Sequence, residues 1–183
     1  MGYQLPTSIT VGGKAYKIRS DYRAALDIFA ALADIELSPR EQALSALVIM
    51  FEDFKSIPPE YYLEALKETL LFLNCGKEIR EKSKSPQLVD WEQDFQYIVA
   101  PINRIMNTEI RSADYIHWWT FVAAYYEIGN CTFAQIVRIR DKKAKGEKLD
   151  KAEQQWYRQN RDIVDIKTKY SEKEAELLAE WTT

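Results

Sequence analysis

Residues 117–140 read HWWTFVAAYYEIGNCTFAQIVRIR. Two apolar stripes at helical spacing lie on either side of a break. In the first, Trp118, Trp119, Phe121, Tyr125 and Tyr126 recur at intervals that suit 3.6 residues per turn. Gly129-Asn130 then supplies residues that tolerate the left-handed backbone at which helices end. Thr132, with Gln135 three positions on, has the spacing of a capping box. Phe133, Ile136, Val137 and Ile139 form the second stripe. The pattern predicts one helix over Tyr115–Ile128, opened by Ser112 or Asp114, and another from Thr132.

The same signals recur on both sides of this stretch. Asp21 caps a helix bearing Ala25, Ile28, Phe29 and Leu32. Ser38, Pro39 and Glu41 combine a cap, a first-turn proline and a capping-box acid. Leu44, Leu47, Val48, Phe51 and Phe54 continue that helix to Ile57-Pro58-Pro59, where the prolines stop it. Tyr62, Leu63, Leu66, Leu70 and Leu73 predict a third helix, central to the core and closed by Asn74-Cys75-Gly76. Asp90 and Gln93 open a fourth over Trp91, Phe95, Ile98, Ile102 and Ile105, with Pro101 either kinking or breaking it. Asp150 and Glu153 open a helix carrying Trp156, Tyr157, Ile163, Val164 and Ile166. Ser171 with Glu174 opens a last one ending near Trp181.

At the N-terminus the period changes to two. Thr7, Ile9 and Val11 lead into Gly12-Gly13, followed by Tyr16 and Ile18, so residues 7–19 predict a β-hairpin. Residues 77–89, of mixed charge with Ser and Pro86, read as an internal loop, a frayed helix end or a short linker between two lobes. The expectation is a mainly α protein: one domain over residues 1–183, with about seven helices and a small N-terminal hairpin.

Composition narrows the function. The chain has 183 residues, 46% hydrophobic and 29% charged, with a formal charge of -3. That balance excludes a disordered, collagenous or polybasic chain. No apolar run approaches the roughly 20 residues that a membrane-spanning helix needs. The start, Met-Gly-Tyr-Gln-Leu-Pro, lacks the basic and apolar regions of an export signal. Cys75 and Cys131 are therefore expected to be reduced, buried side chains.

One histidine and two distant cysteines do not make a four-ligand zinc site, and neither a metal nor a cofactor is expected. Gly12-Gly13-Lys14 lacks the upstream glycine of a phosphate loop and has Ala15 where Ser or Thr would bind magnesium. His117 has Asp114 three residues earlier on its helical face, but spacing supplies no nucleophile for a catalytic pair. A ring satisfied by a carboxylate or carbonyl accounts for it, and we expect no enzyme. The acidic pairs Glu60/Glu64, Glu64/Glu68 and Asp162/Asp165 fall outside the apolar stripes and read as solvated helix faces.

Two features remain. Residues 138–148 carry Arg138, Arg140, Lys142, Lys143, Lys145 and Lys148 against Asp141 and Glu147, a local +4 (six minus two). Nucleic-acid binding would interleave such cations with stacking rings, and here Phe133 and Trp156 lie outside the run. A solvated helix end, or a dock for an acidic protein, fits better than nucleic acid. The other feature is the aromatic helix, whose rings cover more of its circumference than one core stripe requires. Either it is internal or it meets a partner, where Trp and Tyr concentrate binding energy. A homo-oligomer that buries this helix and pairs the edge of the hairpin is one solution. The candidate interaction residues are Trp118, Trp119, Tyr126, Arg138 and Arg140.

Taken together, VGGKAYKI, FLNCG, DWEQDF, HWWTFVAAYYEIGNCTFAQIVRIR and KGEKLDKAEQQWYRQNRDIVD resemble the bacteriophage Gp15 family of tailed phages and prophages of Gram-positive bacteria. The resemblance covers residues 7–168, and the matching positions include Trp91, Asp94, His117, Trp118, Trp119, Thr120, Tyr126, Gly129, Cys131, Arg138 and Arg140. It implies a tail-assembly chaperone acting in the cytoplasm of an infected or lysogenic host. Its partner would be the tape-measure protein, with the tail tube protein a second one. A structural head–tail or tail component of the virion is the alternative. The resemblance carries over no catalytic residue.

Overall fold

The structure, a computed structural model, describes residues 4–78 and 86–167. These are mainly helical, with eight α-helices and one two-stranded antiparallel sheet. The chain groups into two compact units, one running through Lys77 and the other spanning Glu78–Ile166. That boundary falls at the start of the segment read as a loop or short linker. Residues 79–85 of that segment, and the helix expected from Ser171, lie outside the described residues.

In the first unit, β1 (Ser8–Val11) pairs with β2 (Lys14–Lys17), Ile9 opposite Tyr16. The hairpin does not stand alone. Beyond β2, Ile18 bridges to Phe51, and the amide of Glu52 donates to the Lys17 carbonyl at 3.2 Å. At the turn, the Gly12 amide donates to Glu64 Oε1 at 3.1 Å. Gly12 has φ +55°, and a Cβ built there would lie 2.8 Å from the Tyr61 ring. Gly13 has φ +77° but open space around it.

Helices α1 (Tyr22–Leu32), α2 (Pro39–Met50) and α3 (Tyr62–Leu73) complete this unit. Asp21 and the Ser38/Glu41 capping box open the first two as expected. The second helix stops earlier than its apolar stripe. Phe51 turns extended to pair with Ile18, and Phe54 falls in a separate 3-10 turn. Arg19 covers the exposed end, its Nη1 donating to the Val48, Ile49 and Phe51 carbonyls; a cation there is also attracted to the negative end of the helix dipole. Nor is α3 buried all round: Ala65, Thr69, Phe72 and Leu73 face the core, whereas Leu63 is exposed. It closes through left-handed Cys75 and Gly76, the Gly76 amide reaching the Leu71 carbonyl at 2.9 Å.

The second unit contains α4 (Trp91–Met106), α5 (Trp118–Tyr126), α6 (Thr132–Ala144), α7 (Lys151–Gln159) and the single turn α8 (Arg161–Val164). Pro101 sits inside α4 without ending it. Ile105, placed in the apolar stripe of α4, is exposed. The expected start of α5 needs correction. His117, and neither Ser112 nor Asp114, is its N-cap, with Nδ1 accepting from the Trp119 amide at 3.0 Å. Cys131 rather than Thr132 is the N-cap residue of α6, and makes no side-chain cap bond. Both cysteines are free and half-buried, less enclosed than expected. No helix of the described residues is long and apolar enough to cross a membrane.

An L-residue held in the left-handed region costs about 1–2 kcal/mol. Gly12→Ala and Gly13→Ala should both lower the urea midpoint, Gly12→Ala by more because its methyl also displaces Tyr61. The excess should vanish in a Tyr61→Ala background.

Candidate functional site

The aromatic residues of the second unit form a cluster across three helices. Trp91 of α4 meets Trp118 edge-on at 6.0 Å and Tyr125 at 5.2 Å. Trp118 stacks on Phe121 at 5.7 Å, and Tyr125 reaches Phe133 of α6 at 5.8 Å. Burial pushes the Tyr125 hydroxyl up to about 12, with Tyr126 and Asp94 adding to the effect. Trp118 is 1% exposed, Trp119 is half-buried and Tyr126 is 72% exposed. The five candidates therefore do not form one surface. Trp118 belongs to the interior, and Tyr126 presents its ring to solvent from the same helix.

His117 lies at the edge of this cluster, 3% exposed, with Tyr115 and Trp119 rings near it. Because Nδ1 accepts a backbone N–H, it carries no proton in this arrangement. The ring's acceptor atom thus holds the helix start.

The basic segment is largely answered by the chain's own carboxylates. Arg140 is buried, and all of its donors are used. Its Nη2 donates to Asp94 Oδ1 at 2.9 Å and its Nη1 to Asp94 Oδ2. Its remaining N–H groups serve the carbonyls of Leu88, Ile163 and Val164. Asp94 in turn accepts at 2.9 Å from the amide of Asp90, the N-cap residue of α4. Arg138 and Lys142 converge on Glu153 of α7, the Lys142 contacts being 2.8 Å. Lys143 meets Asp165, whose carboxylate also accepts from Tyr157 at 2.9 Å and Arg161 at 3.0 Å. Lys145 pairs with Asp141 one turn away.

These contacts shift the ionisation of the groups involved. The Lys142 hydrogen bond, the Asp150 amide and Arg138 together bring Glu153 from 4.5 to about 2. Burial works against the charge on Asp165, yet Lys143, Tyr157 and Arg161 hold its pKa below the usual range. Burial also opposes the Lys143 ammonium, whose pKa Asp165 and Tyr157 nevertheless raise.

Asp94, Glu153, Tyr157 and Asp165 were not among the candidate residues. Glu153 was legible as a capping-box acid, and the box is present, but its second role toward α6 depends on tertiary packing. Asp165, expected on a solvated helix face, instead accepts from three side chains, of which only Arg161, four residues earlier, lies at helical spacing. Among the described residues, no three His, Cys, Asp or Glu side chains gather to hold a metal ion.

The fold and these contacts define a mainly helical protein whose second unit is organised around intramolecular ion-pair networks. The chain belongs to the bacteriophage Gp15 family: the family model described as Bacteriophage Gp15 protein matches residues 1–166. No curated protein and no solved structure matches it.

The positions of Trp118 and Tyr126 give one expectation. Trp118→Ala should cost about 3–5 kcal/mol of stability, as for a large core ring, and Tyr126→Ala within about 0.5 kcal/mol; denaturant titration distinguishes them. Glu153 gives another. Its folded pKa is depressed, so its contribution to stability is fully present above 4.5 and is lost as pH falls through about 2. The thermal unfolding midpoint should therefore fall as pH is lowered across that window, and Glu153→Gln should flatten the dependence.

Proposed function

We propose that this protein is a non-enzymatic tail-assembly chaperone that binds the tape-measure protein during tail morphogenesis. It would act in the cytoplasm of the bacterial host, with the tail tube protein as a second contact. The observation that carries this reading is the family match over residues 1–166. The physical features are compatible with the role. A chaperone for a long helical partner needs apolar side chains at its surface more than a polar cleft. Tyr115 and Tyr126 of the second unit are 54% and 72% exposed, and Val48 and Leu63 of the first are 51% and 64% exposed. The cations of residues 138–145 already meet carboxylates, so a phosphate backbone would have to compete with those pairs.

Co-expression with the tape-measure protein encoded in the same phage, followed by affinity capture, should yield a stoichiometric complex. Absence of a complex at low and moderate salt overturns the reading. Mass spectrometry of purified virions should find no stoichiometric copy of the chain, and finding one would make it a structural component instead.

A further inference from the structure

The α7–α8 segment is attached to its unit in an unusual way. In α7, the one buried side chain is a charged one, Glu153, 4% exposed. Its carboxylate bridges Arg138 and Lys142 of α6 and closes the capping box of its own helix. The apolar contribution comes from side chains that remain partly exposed. Leu149, Trp156, Tyr157 and Ile163 lie over Ile136 and Ile139 of α6, and Val164 alone is fully enclosed there. At the far end, Lys143 meets Asp165 with Tyr157 between them, and Arg140 and Gln93 donate to the carbonyls of Ile163, Val164 and Asp165, bonds that water can replace once the segment lifts. The connection from α6 turns through Gly146 at φ +71°, with open space around it.

Beneath this segment lies a strip of α6 with an apolar floor, Ile136 and Ile139, bordered by Arg138, Lys142 and Lys143. The covering segment matches it with an acid followed three and four residues later by two rings, Glu153, Trp156 and Tyr157. That order is intrinsic to a helical ligand. Because the capping box is local to α7, the segment keeps its own helix signal when it leaves the strip.

We infer that α7–α8 is a displaceable strap, occupying in cis a docking strip on α6 that accepts an amphipathic helix of a protein partner. The partner helix carries an acid on the face that also bears its apolar side chains, because the strip offers cations beside isoleucines. The charge complementarity with Glu153 and Asp165 specifies that chemistry. The inference does not rest on the tape-measure reading, and holds for any partner with this pattern.

Hydrogen exchange on the full chain tests it. In the unaltered protein, amides of residues 151–164 should exchange faster than the buried amides of α4, through an opening that leaves α4 intact. Glu153→Gln should speed the strap about ten-fold or more without changing α4. Asp165→Asn is the second variant, should Glu153→Gln fail to fold, and should act in the same direction. A synthetic peptide of residues 149–166, added in trans, should bind the chosen variant more tightly than the unaltered chain. Replacing the peptide's own Glu153 with Gln should weaken that binding. Exchange of the strap and α4 at one common rate overturns the inference, and so does a peptide that binds neither the variant nor the unaltered chain. A failed tape-measure capture leaves these readouts untouched.

Discussion

Arg140 and Asp94 meet where neither has access to water, and the second unit is arranged to make that tolerable. A buried guanidinium costs several kcal/mol of lost hydration unless every donor finds an acceptor. Here the five N–H groups are satisfied by Asp94 and by the carbonyls of Leu88, Ile163 and Val164. Those acceptors come from the chain entering α4, from α4 itself and from the end of α8. A single side chain of α6 thereby fixes the start of one helix and the end of another. The geometry is bidentate, which adds direction to the charge attraction. Among the described residues, no buried side-chain N or O atom lacks a partner.

The ring cluster and the ion-pair networks divide the work of holding this unit. On the side of α5, Trp91, Trp118, Phe121 and Phe133 supply apolar area, which stabilises in proportion to the surface removed from water. On the side of α7 the contacts are ionic, and the rings there are only partly covered. The helix α6 takes part in both, through Phe133 near its start and Arg138 to Lys143 toward its end. Its sequence is accordingly apolar first and basic later. Arg138, Arg140, Lys142 and Lys143 are thus matched by internal carboxylates at Asp94, Glu153 and Asp165.

Local chemistry was legible and long-range chemistry was not. Asp21, Ser38/Glu41, Asp90 and Asp150/Glu153 each announced a helix start within three residues, and the structure has those caps. The hairpin was readable from Gly12-Gly13 and alternating side chains. Misplaced boundaries have non-local or unusual causes. Phe51 left α2 because Ile18, 33 residues earlier (51 minus 18), offers it a strand-like partner. The start of α5 was missed because histidine is an uncommon cap, and its Nδ1 replaces the oxygen that Ser112 or Asp114 would have offered. Arg140 looked like one cation in a solvated run. Its acceptors lie 23 to 52 residues away, and no spacing rule connects them.

The two kinds of ion pair also differ in how permanent they are. Asp94 is fully enclosed, so separating it from Arg140 would strand a charge in the interior. Around Glu153, the Arg138 side chain is 63% exposed, and water can take over its hydrogen bonds as the pair opens. The Asp165 cluster is similar, with both carboxylate and Lys143 more than a third exposed. If α7 and α8 leave, Arg140 gives up the carbonyls of Ile163 and Val164 but keeps Asp94 and Leu88. Its freed donors then face the solvent that enters along the strip. The pair that organises α4 and α6 stays together in such an opening, and the pairs that break are those whose carboxylates, Glu153 and Asp165, leave with the segment. A unit built this way can release its last two helices without releasing its first.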